Sequence, residues 1–169
     1  MKKNLALTGM MGVGKSTIGR ALSRRLLMQF SDIDHIIETK LKMSVSKIFE
    51  EKGESFFRKI EEKIVLQETR KNNIIISLGG GAFMNSKIRK VILSSCETFW
   101  LDINIKLLEK RLIKSKKRPL LKNKNLKEAL EKIYKERKST YSTAGYRIDC
   151  NKLSLKLITK QIIRLYANN

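Results

Sequence analysis

The sequence has little cysteine, proline or histidine, and no long hydrophobic run. Among its 169 residues, the two cysteines, Cys96 and Cys150, lie in no C-x-x-C pair and near no histidine cluster. We therefore expect reduced thiols in a cytoplasmic protein, without a disulfide framework. No apolar stretch approaches the roughly 20 residues of a membrane-spanning helix, and we find no secretory pattern after Lys3. We expect no membrane partner.

Acidic residues are also scarce. The 16 Asp and Glu residues are set against 37 Lys and Arg, a formal net charge of +21 at pH 7. Such a field attracts phosphorylated small molecules and polyanions. The basic residues lack the interleaved aromatic side chains that stack on bases, so we expect a solvated basic surface and no nucleic-acid partner.

Apolar runs alternate with helical patterns along a chain that has the length of one domain, 1–169. Five runs read as short strands: 4–8, 30–33, 73–77, 98–101 and 146–149. The alternation predicts an α/β fold, with a parallel sheet covered by helices on both faces. Ligands in such folds bind beyond the carboxyl ends of the strands.

A complete phosphate-binding motif follows the first predicted strand. Gly9–Ser16 reads GMMGVGKS and matches GxxxxGK[ST]. The glycines allow backbone N–H groups to face a β-phosphate at the start of the next helix. Lys15 would reach the β- and γ-phosphates, and the Ser16 hydroxyl would bind Mg²⁺. The motif predicts a nucleoside triphosphate with Mg²⁺ but leaves the phosphoryl acceptor open.

Two carboxylates, Asp32 and Asp34, end the second predicted strand. We expect their side chains to point the same way, because side chains on a strand alternate between faces. One could hold Mg²⁺ through water while the other hydrogen-bonds an acceptor hydroxyl. The alternative is an aspartate cap for a helix beginning near Asp34. His35 is assigned to the helix surface.

An arginine and three glycines provide further candidates. Arg58 lies on an otherwise apolar helix face, with Glu61 and Glu62 one turn on and able to orient it; the alternative is a plain surface pair. Gly79–Gly81 follow a buried strand, where close backbone approach to a ligand is favoured over a simple turn. Asp102 ends an apolar run and is either a metal ligand or, as we favour, a helix cap.

Together these segments resemble the shikimate kinase family. The matching segments, in the family's order, are the loop 9–17, Asp-x-Asp at 32–34, Gly53-Glu54 with Phe57-Arg58 and Glu61, Gly79–Gly81, Arg118–Leu121, Arg137 and Tyr141. The resemblance implies a three-layer fold like that of nucleoside monophosphate kinases, with a five-stranded parallel sheet of order 2-3-1-4-5. It also implies transfer of the ATP γ-phosphoryl group to the 3-hydroxyl of shikimate, in the route to chorismate and aromatic amino acids.

On the ATP side, the resemblance implies a set of nucleotide-binding residues: Gly12, Val13, Gly14, Lys15, Ser16, Thr17, Arg111 and Arg118. Arg111 would lie along the adenine. Arg118 would close over the phosphates on a lid of about 114–124, next to the basic cluster Lys114, Lys116 and Lys117. Asp32 would be the water-mediated second partner of the metal.

On the acceptor side, the resemblance implies a shikimate-binding region over about 32–61. Asp34 would hydrogen-bond the hydroxyls and accept or orient the attacking proton. Arg58 and Arg137 would clamp the carboxylate, and Gly79–Gly81 would present backbone to the ring. Lys15, Asp34 and Arg118 are the implied catalytic residues.

Other functions stay open at this point. A related kinase acting on gluconate or a nucleoside monophosphate is the nearest alternative, and a phosphate- or RNA-binding module is the second. We expect a monomer with ATP and shikimate as its partners. One departure concerns the backbone: Lys42 stands where the family usually has glycine, which affects the local turn and no catalytic group.

Overall fold

A five-stranded parallel sheet runs through the middle of the structure. The computed structural model describes residues 3–113, 126–151 and 153–168. The strands are β1 (Asn4–Thr8), β2 (Gln29–Asp32), β3 (Ile74–Ser77), β4 (Cys96–Asp102) and β5 (Tyr146–Asp149). Their order across the sheet is β2-β3-β1-β4-β5, all in parallel pairs, which confirms the expected α/β fold and strand order.

The central strands are apolar because helices cover both faces of the sheet. Every residue of β1 and of β3 is buried. The helices are α1 (Lys15–Leu26), α2 (Ile33–Leu41), α3 (Val45–Glu68), α4 (Ser86–Ser95), α5 (Ile105–Ile113), α6 (Leu126–Tyr141) and α7 (Leu155–Ala167). A short 3₁₀ turn spans Ala82–Met84. Gly53, with φ 79° and ψ 164°, interrupts α3 where the sequence has its punctuating glycine.

The boundary between β2 and α2 differs from our expectation. β2 ends at Asp32, and α2 begins at Ile33, so Asp34 stands in the first helical turn. The prediction that strand alternation orients both carboxylates was therefore wrong. The capping residue is Asp32, whose carboxylate accepts a hydrogen bond from the His35 N–H. His35 is exposed on the helix, as predicted.

The favoured role of Asp102 was also wrong. The side chain that caps α5 is that of Asn104, which accepts from the Lys106 N–H at 2.9 Å. The Asp102 carboxylate instead accepts hydrogen bonds from Tyr134 and Arg147. The sequence pattern located the helix start but chose the wrong residue, because two side chains that can cap stand before it.

Both cysteines are buried free thiols. Burial raises the pKa of Cys96 to about 11 and that of Cys150 to about 12. Both side chains are therefore neutral thiols at physiological pH. Within the described ranges, no helix is both long and apolar enough to cross a membrane.

We predict that Lys42→Gly stabilises the fold. Lys42 ends α2 in the left-handed conformation, with φ 52° and ψ 36°, and it is exposed. A β-carbon disfavours that conformation, so glycine should raise the free energy of unfolding by about 0.5–1 kcal/mol, measured by urea denaturation. The control is Lys40→Gly inside the same helix, which should lower it by about 1 kcal/mol. Equal destabilisation by both changes would contradict this account of the turn.

Candidate active site

A cavity opens at the carboxyl edge of the sheet, where β1, β2 and β3 end. Its lining combines the predicted phosphate loop with both predicted carboxylates and one of the three glycines. The lining residues are Met11, Gly12, Gly14, Lys15, Ser16, Thr17, Asp32, Asp34, Ser77, Leu78 and Gly80. The sequence therefore identified correctly that the phosphate loop and the ends of β2 and β3 meet. It placed Asp34 at the end of a strand, whereas the structure has it in the first turn of α2.

The phosphate loop depends on glycines in the left-handed region. Gly9, Gly12 and Gly14 have φ values of 134°, 78° and 106°. A β-carbon on Gly9 would meet the Leu101 carbonyl, and one on Gly12 would lie 2.7 Å from Leu112. Gly14 begins α1 without a side-chain cap, so the first N–H groups of the helix are not occupied by a capping side chain. A helix start of this kind binds anions.

Lys15 is folded back over this loop. Its Nζ donates to the carbonyl oxygens of Gly9 at 2.8 Å and of Met10 at 2.9 Å, and the residue is 8% exposed. The loop thus holds a nearly buried ammonium group beside the cavity. Such a charge favours phosphate oxygens that enter the cavity.

The oxygen atoms around the cavity fit a magnesium ion. Ser16 supplies a hydroxyl, and Asp32 and Asp34 supply carboxylates. Mg²⁺ prefers oxygen ligands and is commonly held by one or two carboxylates together with substrate phosphates.

Arg58 is held by two glutamates on its own helix. Its Nη1 donates to Glu61 at 2.6 Å, while its Nε and Nη2 donate to Glu54 at 3.1 and 3.0 Å. Burial alone would lower the pKa of Arg58, but the two carboxylates outweigh burial and raise it. The guanidinium lies over the ring of Phe57 at 5.3 Å. The expectation that Glu61 orients Arg58 is confirmed, but the same expectation for Glu62 was wrong, because Glu62 accepts hydrogen bonds from Asn85 and Lys87 instead.

Glu61 is the residue around which the acceptor side is arranged. It is completely buried, and one oxygen, Oε1, has no hydrogen-bond partner among the described residues. The pKa of Glu61 is raised above its usual value. Burial is the main cause and the charge of Asp34 adds to it, while the charges of Arg58 and Arg137 oppose the rise without cancelling it. Glu61 thus lies within electrostatic reach of all three predicted acceptor residues, which the fold brings together from α2, α3 and α6.

The three glycines leave room for these side chains. A β-carbon on Gly79 would meet Glu61 and Asp34, and one on Gly81 would lie 2.5 Å from an Arg58 nitrogen. On Gly80 it would lie 3.2 Å from the Met11 nitrogen of the phosphate loop. None of the three has positive φ. In the structure the glycines closely approach side chains of the site itself, and Gly80 brings the two loops together. The close approach to a ligand stays a prediction.

A second arginine reaches the same loop. Arg137 Nη1 donates to the Gly80 carbonyl oxygen at 2.9 Å, and the Tyr141 hydroxyl donates to the same oxygen at 2.5 Å. Tyr141 is fully buried, and burial raises its pKa although the charge of Arg137 opposes the shift. Sequence reasoning gave Tyr141 no role. Its spacing of four residues from Arg137 on a predicted helix was the available signal.

The remaining predicted residues fall into three groups. Arg111 donates to the Val13 carbonyl oxygen at 3.2 Å and so contacts the phosphate loop. Arg118 and the predicted lid, 114–124, lie outside the described residues. Asp102 does not line the cavity, and its two oxygens accept from Tyr134 and Arg147, so the alternative of a metal ligand is not supported.

Comparison with known proteins agrees with this geometry. The family model described as shikimate kinase matches residues 11–167. This chain belongs to the shikimate kinase family. Among curated members, the shikimate kinase of Sulfurihydrogenibium sp. is 37% identical over 161 residues, which are 95% of this chain and 96% of that protein. The shikimate kinase of Bacillus licheniformis is 37% identical over 166 residues, 96% of this chain and 93% of its relative.

Solved shikimate kinases have the same fold. The Acinetobacter baumannii enzyme, in complex with shikimate, is 31% identical, with a TM-score of 0.94 over 100% of this chain and 95% of that one. The Bacteroides thetaiotaomicron enzyme is 27% identical, with a TM-score of 0.92 over 99% of both chains. A gluconokinase from Sinorhizobium meliloti, at 12% identity and a TM-score of 0.61, shares the fold alone.

We predict that Gly81→Ala destabilises the acceptor side. The new β-carbon would push against the Arg58 guanidinium, which two glutamates hold in place, and the overpacking should lower the free energy of unfolding by about 1–3 kcal/mol. The matched control is Gly145→Ala, where the nearest atom would be 3.5 Å away. Urea denaturation of both variants measures the difference. Equal effects would show that Arg58 moves aside at little cost.

Proposed function

We propose that this chain transfers the γ-phosphoryl group of ATP to the 3-hydroxyl of shikimate, giving shikimate 3-phosphate and ADP. The observation that carries the proposal is that Asp34, Arg58 and Arg137 all lie against Glu61 or the Gly79–Gly81 loop, beside the phosphate loop. Two guanidinium groups and the Asp34 carboxylate next to a phosphate site suit an acceptor that carries both a carboxylate and hydroxyl groups. Membership of the family and the shikimate complex of the Acinetobacter relative support the same acceptor.

On the ATP side, the backbone of Gly12–Thr17 would bind the phosphates. Lys15 would turn from the carbonyls of Gly9 and Met10 to the β- and γ-phosphates. Ser16 would hold Mg²⁺ directly and Asp32 through water, and the ion would supply charge neutralisation for the phosphates. Arg111 would lie along the adenine. Arg118, which is outside the described residues, stays a prediction as the residue that covers the phosphates.

On the acceptor side, two planar guanidinium groups would hold the carboxylate of shikimate. Arg58 would use N–H groups not bonded to Glu54 and Glu61, and Arg137 would reach from α6. Gly79–Gly81 would present backbone to the ring. A guanidinium binds a carboxylate through two parallel hydrogen bonds, which a lysine cannot make.

The reaction then needs little more than positioning. The acceptor oxygen attacks the γ-phosphorus as the bond to the bridging oxygen of ADP breaks. Asp34 would accept or orient the proton that the hydroxyl loses. Lys15 would stabilise the charge that develops on the phosphoryl oxygens, a role that accounts for much of the catalysis in phosphoryl transfer.

The state of the protein in the cell belongs to the same proposal. We propose a monomer that works in the cytoplasm, where its two buried thiols stay reduced. We propose no nucleic-acid partner, because the high positive charge can serve to attract the two anionic substrates. Size-exclusion chromatography with light scattering tests the monomer.

Lys15→Met should nearly abolish turnover. The variant loses the ammonium group that lies against the Gly9 and Met10 carbonyls beside the cavity, and we expect kcat to fall about a hundredfold or more. ADP release is measured with shikimate, with gluconate and with nucleoside monophosphates. The exposed Lys63→Met is the control and should leave kcat unchanged. ADP release that depends on gluconate or a nucleotide instead of shikimate would contradict the proposed acceptor.

Arg58→Lys should weaken shikimate binding and leave ATP binding unchanged. Lysine keeps the charge beside Glu61 but cannot form the paired bonds, so the KM for shikimate should rise about tenfold or more. The KM for ATP serves as an internal reference, and Arg24→Lys on the exposed face of α1 is the control variant. A selective rise in the KM for ATP would show that Arg58 has been assigned to the wrong substrate.

A further inference from the structure

A second group of polar side chains lies at the end of β4, and the proposed reaction does not use it. Asp102 is 4% exposed. Its Oδ1 accepts from the Tyr134 hydroxyl at 3.0 Å, and its Oδ2 accepts from Nε and Nη2 of Arg147 at 2.9 and 2.6 Å. We call Asp102, Tyr134 and Arg147 the Asp102 cluster. Through it, one buried carboxylate joins β4, β5 and α6.

The cluster contacts the same side of α6 that faces the active site. Tyr134, Arg137 and Tyr141 follow at intervals of three and four residues and therefore share one helix face. Tyr134 donates to Asp102, whereas Arg137 and Tyr141 donate to the Gly80 carbonyl oxygen. Burial and the nearby Asp102 charge raise the pKa of Tyr134 to about 12. Tyr134 thus remains an O–H donor at neutral pH.

An aromatic contact connects the cluster with the Gly80 end of the helix. Trp100 stands two residues before Asp102 on β4, so both side chains point to the same face of the sheet. Its ring is 6.0 Å from that of Tyr141, with an interplanar angle of 24°. The Arg147 guanidinium lies 5.3 Å from the Trp100 ring centroid. Packed side chains thus extend from Arg147 through Trp100 and Tyr141 to Gly80.

We propose that the Asp102 cluster positions Arg137 to bind the acceptor. It does so by fixing how α6 is rotated about its axis and how far it is shifted along the sheet. The proposed reaction gives none of these three residues a contact with ATP or shikimate, so they act as positioning residues and not as catalytic ones. The proposal rests on the proposed function, since it assigns the carboxylate of shikimate to Arg137. A shift of the helix by even one ångström would move Arg137 out of place and weaken a carboxylate site that needs two arginines in fixed positions.

The test removes one hydroxyl. Tyr134→Phe keeps the ring and its packing but loses the bond to Asp102, so the Kd for shikimate, measured by calorimetry without ATP, should rise about threefold to tenfold. The Kd for a non-hydrolysable ATP analogue should stay the same. The control is Ser142→Ala, which removes a hydroxyl that bonds to the Ser139 carbonyl at the end of the same helix.

A double variant distinguishes a specific effect of Tyr134 on Arg137 from a general loss of stability in the protein. In an Arg137→Lys background the guanidinium is already lost, so adding Tyr134→Phe should change the Kd for shikimate by less than about twofold. The positioning role would be overturned if Tyr134→Phe raised the Kd for shikimate and for the ATP analogue equally, or raised neither. It would also be overturned if Tyr134→Phe raised the Kd for shikimate by the same factor with and without Arg137→Lys. If the unaltered protein binds no shikimate, the proposed function fails as well. If it binds shikimate and Tyr134→Phe has no selective effect, only this inference fails.

Discussion

The ion pair between Arg58 and Glu61 is the interaction on which the acceptor side depends. A carboxylate with no exposed surface is costly to bury unless a cation accompanies it, and removal of one partner from such a pair is strongly destabilising. Glu61 therefore fixes the guanidinium at 2.6 Å, while Glu54 holds its outer edge. The arginine is oriented in the absence of a ligand, and in its proposed role this would reduce the entropic cost of binding a carboxylate.

The distance between the acceptor side and the phosphate loop is set by three glycines, which have no side chains. Gly79 and Gly81 leave room for Glu61 and Arg58, and Gly80 packs against the backbone of Met11 in the phosphate loop. The Gly80 carbonyl oxygen then accepts from Arg137 and Tyr141. One glycine loop thus sets how close the acceptor can come to the triphosphate, which is the geometric requirement of direct phosphoryl transfer.

Local motifs and the alternation of strands with helices were enough to predict a parallel sheet and the loops at its carboxyl edge, whereas the order of the strands was implied only by the resemblance to the family. They could not place Asp34, because a helix starting one residue earlier than expected changes the direction of that side chain while leaving it in the cavity. They also misread Asp102, whose partners Tyr134 and Arg147 follow 32 and 45 residues later in the chain. Contacts between distant segments depend on how α6 packs on the sheet, and periodicity carries no information about that packing.

A crystal structure of the protein with ADP, Mg²⁺ and shikimate tests the central claim most directly. The account predicts the shikimate carboxylate between Arg58 and Arg137, the 3-hydroxyl facing Asp34, and Lys15 moved from the Gly9 carbonyl to the nucleotide phosphate. Shikimate bound away from both arginines, with Arg58 still paired only to Glu54 and Glu61, would contradict it.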